Sequence, residues 1–344
     1  MGETVAGDVA AVVGPGALGC LLAASLAEGG VATALVDHDP ARAARLAARG
    51  LVVERADGAL VAQLPVGAEL PPEVEVVFLC VKERATAAAL RPLVGGSATV
   101  AVLQNGCDRP AAVGALLGDP ARVVGVTTSE GATLLGEGHV RHAGRGETQV
   151  GALEPGSAAR AERVAALLQR AGWSAQVVAD LRRASWGKLV VNAAINALTG
   201  LLGCENGALL RSPAAAALGD EAACEVAALA RELGLGSGPG TGSGSGFQPE
   251  VACARWRAVA LHTATNISST LQDLRRGQAT EVRAINGAVA RLARERGLSA
   301  PINDALARLI QAREEVAQLG PEEARTAPGG AGPGPRENGP QGES

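Results

Sequence analysis

Short, mainly apolar runs alternate with longer amphipathic stretches through the first half of the chain. The runs that read as strands lie at 9–13, 33–36, 74–81, 98–103, 123–128, 148–151 and 174–178. Strands with few polar positions are buried on both faces, which is typical of a parallel sheet covered by helices. The pattern therefore predicts an α/β domain over residues 1–179.

The pattern changes near Ala179, where the strand-like runs stop and helical periodicity takes over. Helices are predicted at about 184–200, 213–233, from 249, 280–296 and 301–318. The stretch 280–296 is expected to carry Thr280 and Glu281 on the helix itself. This change from strand-like runs to helical periodicity predicts an all-α domain over residues 180–319.

Two segments are too rich in Gly and Pro to form regular structure. The stretch 234–246 (GLGSGPGTGSGSG) is predicted to be a flexible loop. From Gly320 the chain lacks large apolar residues, so 320–344 is predicted to be a disordered tail.

Three polar residues interrupt the otherwise apolar or small residues of the predicted helix ASWGKLVVNAAINALTG. Lys188, Asn192 and Asn196 stand at i, i+4 and i+8. Each step of four advances only about 40° around a helix axis, so the three side chains share one narrow stripe. The stripe is either a partly exposed polar edge of a core helix or a substrate site with an ammonium and two amides. Unpaired polar groups on a buried helix are costly, so they need partners or a cavity.

A glycine-rich turn joins the first strand to the first helix. Its residues are Gly14, Pro15, Gly16, Ala17, Leu18 and Gly19. The three glycines fit the dinucleotide-binding fingerprint: the first makes the tight turn, the second lets the pyrophosphate approach, and the third lets helix and strand pack closely. The helix N-terminus would offer N–H groups and a positive dipole to the phosphates. The first domain is therefore predicted to be of the Rossmann type.

The residues after the second strand give a mixed signal on the cofactor. Asp37 ends that strand about 20 residues after the fingerprint, where an acid usually accepts from the ribose 2′-hydroxyl and favours NAD. Arg42 and Arg45 lie one turn apart on the following helix and could neutralise a 2′-phosphate.

Polar residues also follow the later strands. Lys82 follows the strand at 74–81, Asn105 follows the strand at 98–103, and Ala132 belongs to a predicted turn at 129–132. Each taken alone fits a solvated strand end or a simple turn. Ligands bind at the carboxyl ends of parallel strands, and this shared position favours a role in cofactor binding.

Composition and charge exclude several classes of function. The net charge is −4 with no basic run, so no nucleic-acid partner is expected, and no apolar run approaches the length of a membrane span. The first residues lack a signal-peptide layout, and the six cysteines form no C-x-x-C pair, so a cytoplasmic protein with reduced thiols is expected. His139 and His142 have a ligand-like spacing without an evident acidic or thiolate partner nearby, which favours a surface hairpin over a metal site.

Three motifs in the helical half occur in a combination that is highly specific. They are W-x-K-L-x-x-N-x-x-I-N-x-L-T, S-S-x-x-Q-D and T-E-V-x-x-I-N-G. With the N-terminal fingerprint, the chain resembles the ketopantoate reductases (2-dehydropantoate 2-reductases) from about Val9 to Val316.

The resemblance implies roles for individual residues. Lys188 would be the general acid, and Glu281 would hold the cofactor and the lysine in place. The other substrate-binding residues would be Asn105, Asn192, Asn196, Asn206 and Ser269. Lys82, which matches the V-K of the family, would also bind the cofactor, and Asn105, in L-Q-N-G, would lie at the nicotinamide.

The implied activity is NADPH-dependent reduction of 2-dehydropantoate to (R)-pantoate in pantothenate and coenzyme A biosynthesis, by a monomer or homodimer. The family commonly uses NADPH, which favours NADP(H), whereas Asp37 keeps NAD(H) open. Arg283 replaces a frequent acid of the third motif, and the Gly-rich stretch replaces a short connection. A reductase for another small 2-keto acid and a non-catalytic dinucleotide-sensing protein are the alternatives.

Overall fold

The computed structural model describes residues 9–106, 108–235 and 245–319. Most of the expected loop at 234–246 lies outside these ranges. The expected tail at 320–344 and Cys107 lie wholly outside them.

An eight-stranded sheet forms the first half of the molecule. In spatial order its strands are β12 (Ser174–Val177), β11 (Glu147–Ala152), β8 (Val123–Thr128), β7 (Thr99–Val102), β6 (Val76–Leu79), β1 (Val9–Val13), β2 (Ala32–Val36) and β5 (Val66–Gly67). Neighbours pair in parallel except β8 and β11, which are antiparallel. Strands β6 and β7 are buried along their whole length, as expected for apolar runs covered on both faces. All the strands predicted from the sequence belong to this sheet.

A smaller sheet was missed by the sequence reading. Its order is β4 (Gly58–Ala62), β3 (Leu51–Arg55), β10 (His139–Gly144) and β9 (Gly131–Gly136). These strands are partly exposed, so their apolar signal is weak. Ala132 was wrongly assigned to a turn: it lies on β9, whose pairing with β10 begins at Gly131.

The hairpin of β9 and β10 carries the two histidines of ligand-like spacing. His139 lies 3.1 Å from a carboxylate oxygen of Glu54, and His142 lies 2.5 Å from one of Glu130. The hairpin prediction is confirmed, but the expectation that no acid lies nearby was wrong. Glu54 comes from β3, and Glu130 lies between β8 and β9, directly before the hairpin. Within the described ranges no cluster of His, Cys, Asp and Glu could hold a metal ion.

Helices cover the large sheet and then form the second half alone, which confirms the predicted fold class. The first group is α1 (Ala17–Glu28), α2 (Pro40–Arg49), α3 (Thr86–Leu90), α4 (Arg109–Leu117) and α5 (Ala158–Arg170). The second group is α6 (Leu181–Leu202), α7 (Ala208–Arg211), α8 (Pro213–Glu232), α9 (Pro249–His262), α10 (Ser269–Arg275), α11 (Asn286–Glu295) and α12 (Pro301–Gln318). Among the helices described, none has the combination of length and apolar character needed to cross a bilayer.

Helix α6 forms the centre of the helical half and contacts α8, α9, α10 and α12. Asp180 caps its N-terminus by accepting from the backbone N–H of Arg183, and Gly203 ends it in the left-handed conformation. Trp186 and Trp256 are fully buried in the core around it. A Cβ atom at Gly219 would lie 2.7 Å from the Trp256 ring, so the close approach of α8 and α9 requires glycine there.

Residues 280–285 form a turn, which corrects the prediction of one helix over 280–296. Asn286 is the first residue of α11, and its buried amide donates to Ala193 O at 3.0 Å and to Asn303 Oδ1 at 2.9 Å. The backbone N–H of Thr280 donates to Glu314 at 2.6 Å. These tertiary hydrogen bonds override the local helical periodicity and place Glu281 on the turn.

Candidate functional site

A cleft of 1820 Å³ lies between the carboxyl ends of the large sheet and the helical half. Residues that follow β1, β2, β6, β7 and β8 line one side, and residues of α6, α9 and α10 line the other. The strand ends and the helix stripe that the sequence singled out therefore meet in one space.

The glycine-rich turn opens into this cleft with the geometry that the fingerprint requires. Gly14 has φ +106°, a value that favours glycine, and a Cβ at Gly19 would collide with the carbonyl oxygen of Gly14. Gly16 immediately precedes α1 and has no atom within 4 Å of where its Cβ would stand, so its backbone is open to a ligand. Gly14, Pro15, Gly16, Ala17 and Leu18 line the cleft, and Gly19 is buried beneath them.

Asp37 does not face the cleft as its predicted contact with a ribose requires. Its side chain is fully buried and accepts hydrogen bonds from Arg42, one of them at 2.6 Å. Burial raises the pKa of Asp37, but the hydrogen bonds from Arg42 and from the Asp39 backbone outweigh burial and lower it below its ordinary value. Arg42 itself lines the cleft, whereas Arg45 is paired with Glu137 at 2.8 Å outside it.

The stripe on α6 faces the cleft with all three of its polar residues, Lys188, Asn192 and Asn196. The Lys188 ammonium donates to Asn105 Oδ1 at 2.8 Å. Burial lowers the pKa of Lys188 to about 8, and the negative charge of Glu281 partly opposes that shift. Of the two interpretations of the stripe, the structure favours side chains that line a cavity.

Asn105 links the lysine to the acid that was expected to pair with it. Its amide donates to Glu281 Oε2 at 2.7 Å. Within the described residues, Lys188 and Glu281 form no ion pair within 4.0 Å, so their interaction runs through Asn105 and through longer-range electrostatics. One residue that follows β7 thus joins side chains from α6 and from the turn before α11.

Lys82 makes a second link between the two halves. Its ammonium lies 2.9 Å from Asp273 Oδ2 and donates to Ala279 O at 2.6 Å. Lys82 and Asp273 both line the cleft. Lys82 is therefore neither a simple solvated strand end nor a free cation.

Asn206 and Ser269 lie on the helical wall of the same cleft. Asn206 is 8% exposed and donates to Thr263 Oγ1 at 2.9 Å, but its Oδ1 has no hydrogen-bond partner within the described residues. Ser269 is exposed at the start of α10. The preceding Ser268 is buried and caps α10 instead, so only the second serine of the motif is available to a ligand. Ala132 lines the opposite side.

The sequence reading missed a group of cleft residues on α9 and at its C-terminal cap, Thr263. Arg255, Val259 and Thr263 all line the cleft. Their spacing of four places them on one helix face, as for the stripe on α6. That spacing was available in the sequence, but a single arginine among several on a helix carries no distinctive signal.

Comparisons with known proteins match both halves of the chain. The family described as "Ketopantoate reductase PanE/ApbA" matches residues 10–155, and "Ketopantoate reductase PanE/ApbA C terminal" matches residues 180–314. The chain is 36% identical over 305 residues to a 2-dehydropantoate 2-reductase from Halobacterium salinarum, covering 87% of this chain and 97% of the relative.

Two solved structures are similar to the fold. A PanE/ApbA family ketopantoate reductase from Ralstonia eutropha JMP134 has a TM-score of 0.77 and 29% identity, covering 90% of this chain and 100% of the other. A D-mandelate dehydrogenase in a ternary structure with NADH and anilino(oxo)acetate has a TM-score of 0.81 at 23% identity, covering 90% of this chain and 100% of the other. The second likeness concerns the fold alone.

Proposed function

Because the chain belongs to the ketopantoate reductase family, we propose that it reduces 2-dehydropantoate to (R)-pantoate with a nicotinamide dinucleotide. The observation that carries the proposal is the stripe of Lys188, Asn192 and Asn196, which faces the cleft that also holds the fingerprint turn. A proton donor and two amides opposite a dinucleotide site suit a small keto acid.

The chain's residues fit the cofactor. Gly16 leaves open space above its backbone, and α1 directs its N-terminus there, which suits a pyrophosphate. The reduced nicotinamide, when bound, supplies the hydride. Asn105 and Lys82 follow β7 and β6 at the edge of the sheet where the nicotinamide of this family is expected.

Lys188 is the proposed proton donor to the carbonyl oxygen of the substrate. Negative charge develops on that oxygen as hydride reaches the keto carbon, so a nearby ammonium stabilises the transition state and can deliver the proton. A pKa of about 8 keeps Lys188 mainly protonated at neutral pH and makes it a better acid than an ordinary lysine. The amine left after transfer regains a proton from solvent.

Asn105 and Glu281 are the proposed positioning groups for this lysine. The bond of 2.8 Å from Lys188 to Asn105 fixes the direction of the ammonium, and the bond of 2.7 Å from Asn105 to Glu281 fixes the orientation of the amide. The carboxylate of Glu281 also favours the charged form of Lys188. Together they would hold the proton at the place where the substrate oxygen binds.

The remaining cleft residues are proposed to bind the rest of the substrate. Asn192 and Asn196 would donate to its hydroxyl and carboxylate end, and Ser269 and Asn206 would bind it from α10 and the segment after α6. The unsatisfied Oδ1 of Asn206 supports this assignment, since a buried acceptor without a partner is costly and a ligand hydroxyl would satisfy it.

We propose NADP(H) as the preferred cofactor. Asp37 is neutralised by Arg42, and Arg42 lines the cleft in the position next to the second strand. The Asp37 carboxylate is therefore occupied and lies away from the cleft, while the arginine of the pair is on the side of the expected ribose, which favours a 2′-phosphate over a 2′-hydroxyl. NAD(H) is the alternative, and kinetic comparison of NADPH with NADH distinguishes the two cofactors.

We propose a division into domains at 1–179 and 180–319. The last strand ends at Val177 and α6 begins at Leu181, which supports this boundary.

The described cysteines are free, which supports the proposed cytoplasmic location. A monomer or a homodimer fits the proposal equally.

Steady-state kcat/KM for a panel of small 2-keto acids, each with NADPH and with NADH, tests the activity. The proposal expects 2-dehydropantoate with NADPH to give the highest value. A higher kcat/KM for another 2-keto acid would show that this protein is a reductase for that acid. Cofactor binding without turnover of any keto acid would identify a dinucleotide-sensing protein.

A further inference from the structure

Arg255 is a cleft residue that the proposed mechanism leaves without a role. It lies on the face of α9 that also presents Val259 to the cleft and that continues to the capping residue Thr263, and its side chain is half-buried. Thr263 accepts from Asn206, so this face of α9 borders the residues assigned to the substrate.

The guanidinium of Arg255 has no anionic partner among the described residues. Its contact is with the ring of Phe247, whose centroid lies 5.9 Å from Cζ. Burial lowers the pKa of Arg255, and the nearby positive charge of Arg183 lowers it further. A half-buried cation beside a second cation is unfavourable, and a bound anion would relieve the cost.

The neighbouring arginine on the same helix shows the contrast. Arg257 forms a two-pronged ion pair with Asp220, with bonds of 2.9 Å and 2.6 Å. Unlike Arg257, Arg255 faces a space that a ligand can enter.

The guanidinium of Arg255 packs against α6 beside the proposed proton donor. A Cβ atom at Gly187 would lie only 2.7 Å from Arg255 Nη1, so the guanidinium rests directly on the helix where Gly187 has no side chain. Lys188 is the next residue. In a 2-keto acid the carboxylate is bonded to the keto carbon, so the carboxylate must lie close to the oxygen that Lys188 protonates.

We propose that Arg255 binds the carboxylate of the 2-keto acid. A guanidinium presents two parallel N–H donors that match the two carboxylate oxygens. The amides of α6 would supply neutral hydrogen bonds, whereas Arg255 supplies the charge that selects an acid over an uncharged carbonyl compound. This assignment rests on the proposed function, because it takes a 2-keto acid as the substrate.

The test compares 2-dehydropantoate with ketopantolactone, its uncharged cyclic ester, in wild-type enzyme, Arg255→Gln, Arg255→Lys and the control Arg257→Gln. Arg255→Gln is expected to raise KM for the acid roughly 50-fold, as for loss of a charged hydrogen bond. Its preference for the acid over the lactone should fall by a similar factor, while kcat and the Kd of NADPH stay near wild type. Arg255→Lys should restore part of the preference, and Arg257→Gln should behave like wild type.

Two outcomes would overturn the assignment. The first is an unchanged acid preference in Arg255→Gln, with no loss or with an equal loss for both substrates. The second is a weakened Kd for NADPH with KM for the acid unchanged. The lactone lacks the free hydroxyl, but that difference is common to every variant and cancels in the comparison.

Calorimetric binding of oxamate to the NADP⁺ complex separates this inference from the proposed function. If wild-type enzyme reduces neither compound, the proposed reaction is wrong. The carboxylate site still stands if oxamate binds wild type and binds Arg255→Gln roughly 50-fold more weakly. Absence of oxamate binding to an inactive wild type would overturn both.

Discussion

Lys188 and Glu281 are joined through a third side chain: Asn105 accepts from the lysine at 2.8 Å and donates to the glutamate at 2.7 Å. The three residues come from the end of a strand, a central helix and a turn. Asn105 therefore fixes where the ammonium points, and Glu281 acts on its charge.

Replacement of Asn105 by alanine is expected to lower kcat by about 100-fold, because a misdirected general acid loses much of its contribution. Lys188 would keep its charge but lose the acceptor that orients it. Single-turnover reduction at saturating NADPH measures the effect on the chemical step. Wild-type single-turnover rates in Asn105→Ala would show that the lysine needs no such acceptor.

The pH dependence of kcat should report the ionisation of Lys188. The acid must be protonated, so the rate is expected to be constant below a pH of about 8 and to fall above it. Glu281 raises the pKa of Lys188, so Glu281→Gln should lower that pKa and move the alkaline decline to lower pH. A decline that stays in place in Glu281→Gln would disprove the electrostatic role of the carboxylate.

Cofactor preference should depend on Arg42 and not on Arg45. Arg42→Ala removes the guanidinium that lines the cleft and leaves the Asp37 carboxylate without its partner. KM for NADPH is therefore expected to rise about 30-fold, while KM for NADH does not rise. Arg45 is the matched control because its partner Glu137 holds it outside the cleft. Equal effects of the two substitutions on NADPH would contradict the assignment.

Substitutions of two asparagines of the family motifs should have different effects: one should lower stability and the other should weaken substrate binding. Asn286 is 1% exposed and donates to Ala193 O and to Asn303 Oδ1, so Asn286→Ala should lower the free energy of unfolding by about 2 kcal/mol. Asn192 faces the cleft, so Asn192→Ala should raise KM for the keto acid about 10-fold with little change in Tm. Urea unfolding and steady-state kinetics on both variants distinguish the roles, and a reversed pattern would refute them.

Much of this structure could be predicted from the sequence, because those parts depend on residues that are close together in the chain. The strand before Gly14, the turn itself and α1 are specified by a few adjacent residues. The stripe on α6 follows from helical spacing, so Lys188 could be singled out before its partners were known.

The parts that could not be predicted depend on contacts between distant residues. Glu281 lies on a turn because Asn286 and Thr280 bind other helices, and no local pattern reveals those bonds. Asp37 is a different case: its partner Arg42 stands only five residues later, but nothing in the sequence shows that their pairing buries the carboxylate away from the cleft. The smaller sheet was missed because β3 pairs with β10, far along the chain, and both are partly exposed.

The most direct test of the central claim is kcat/KM for 2-dehydropantoate with NADPH in Lys188→Ala, beside the Kd of NADPH and the circular dichroism spectrum of the same variant. If Lys188 is the general acid, kcat/KM should fall by about 1000-fold with the fold and the cofactor affinity retained. A folded, cofactor-binding Lys188→Ala enzyme with kcat/KM close to wild type would contradict the account.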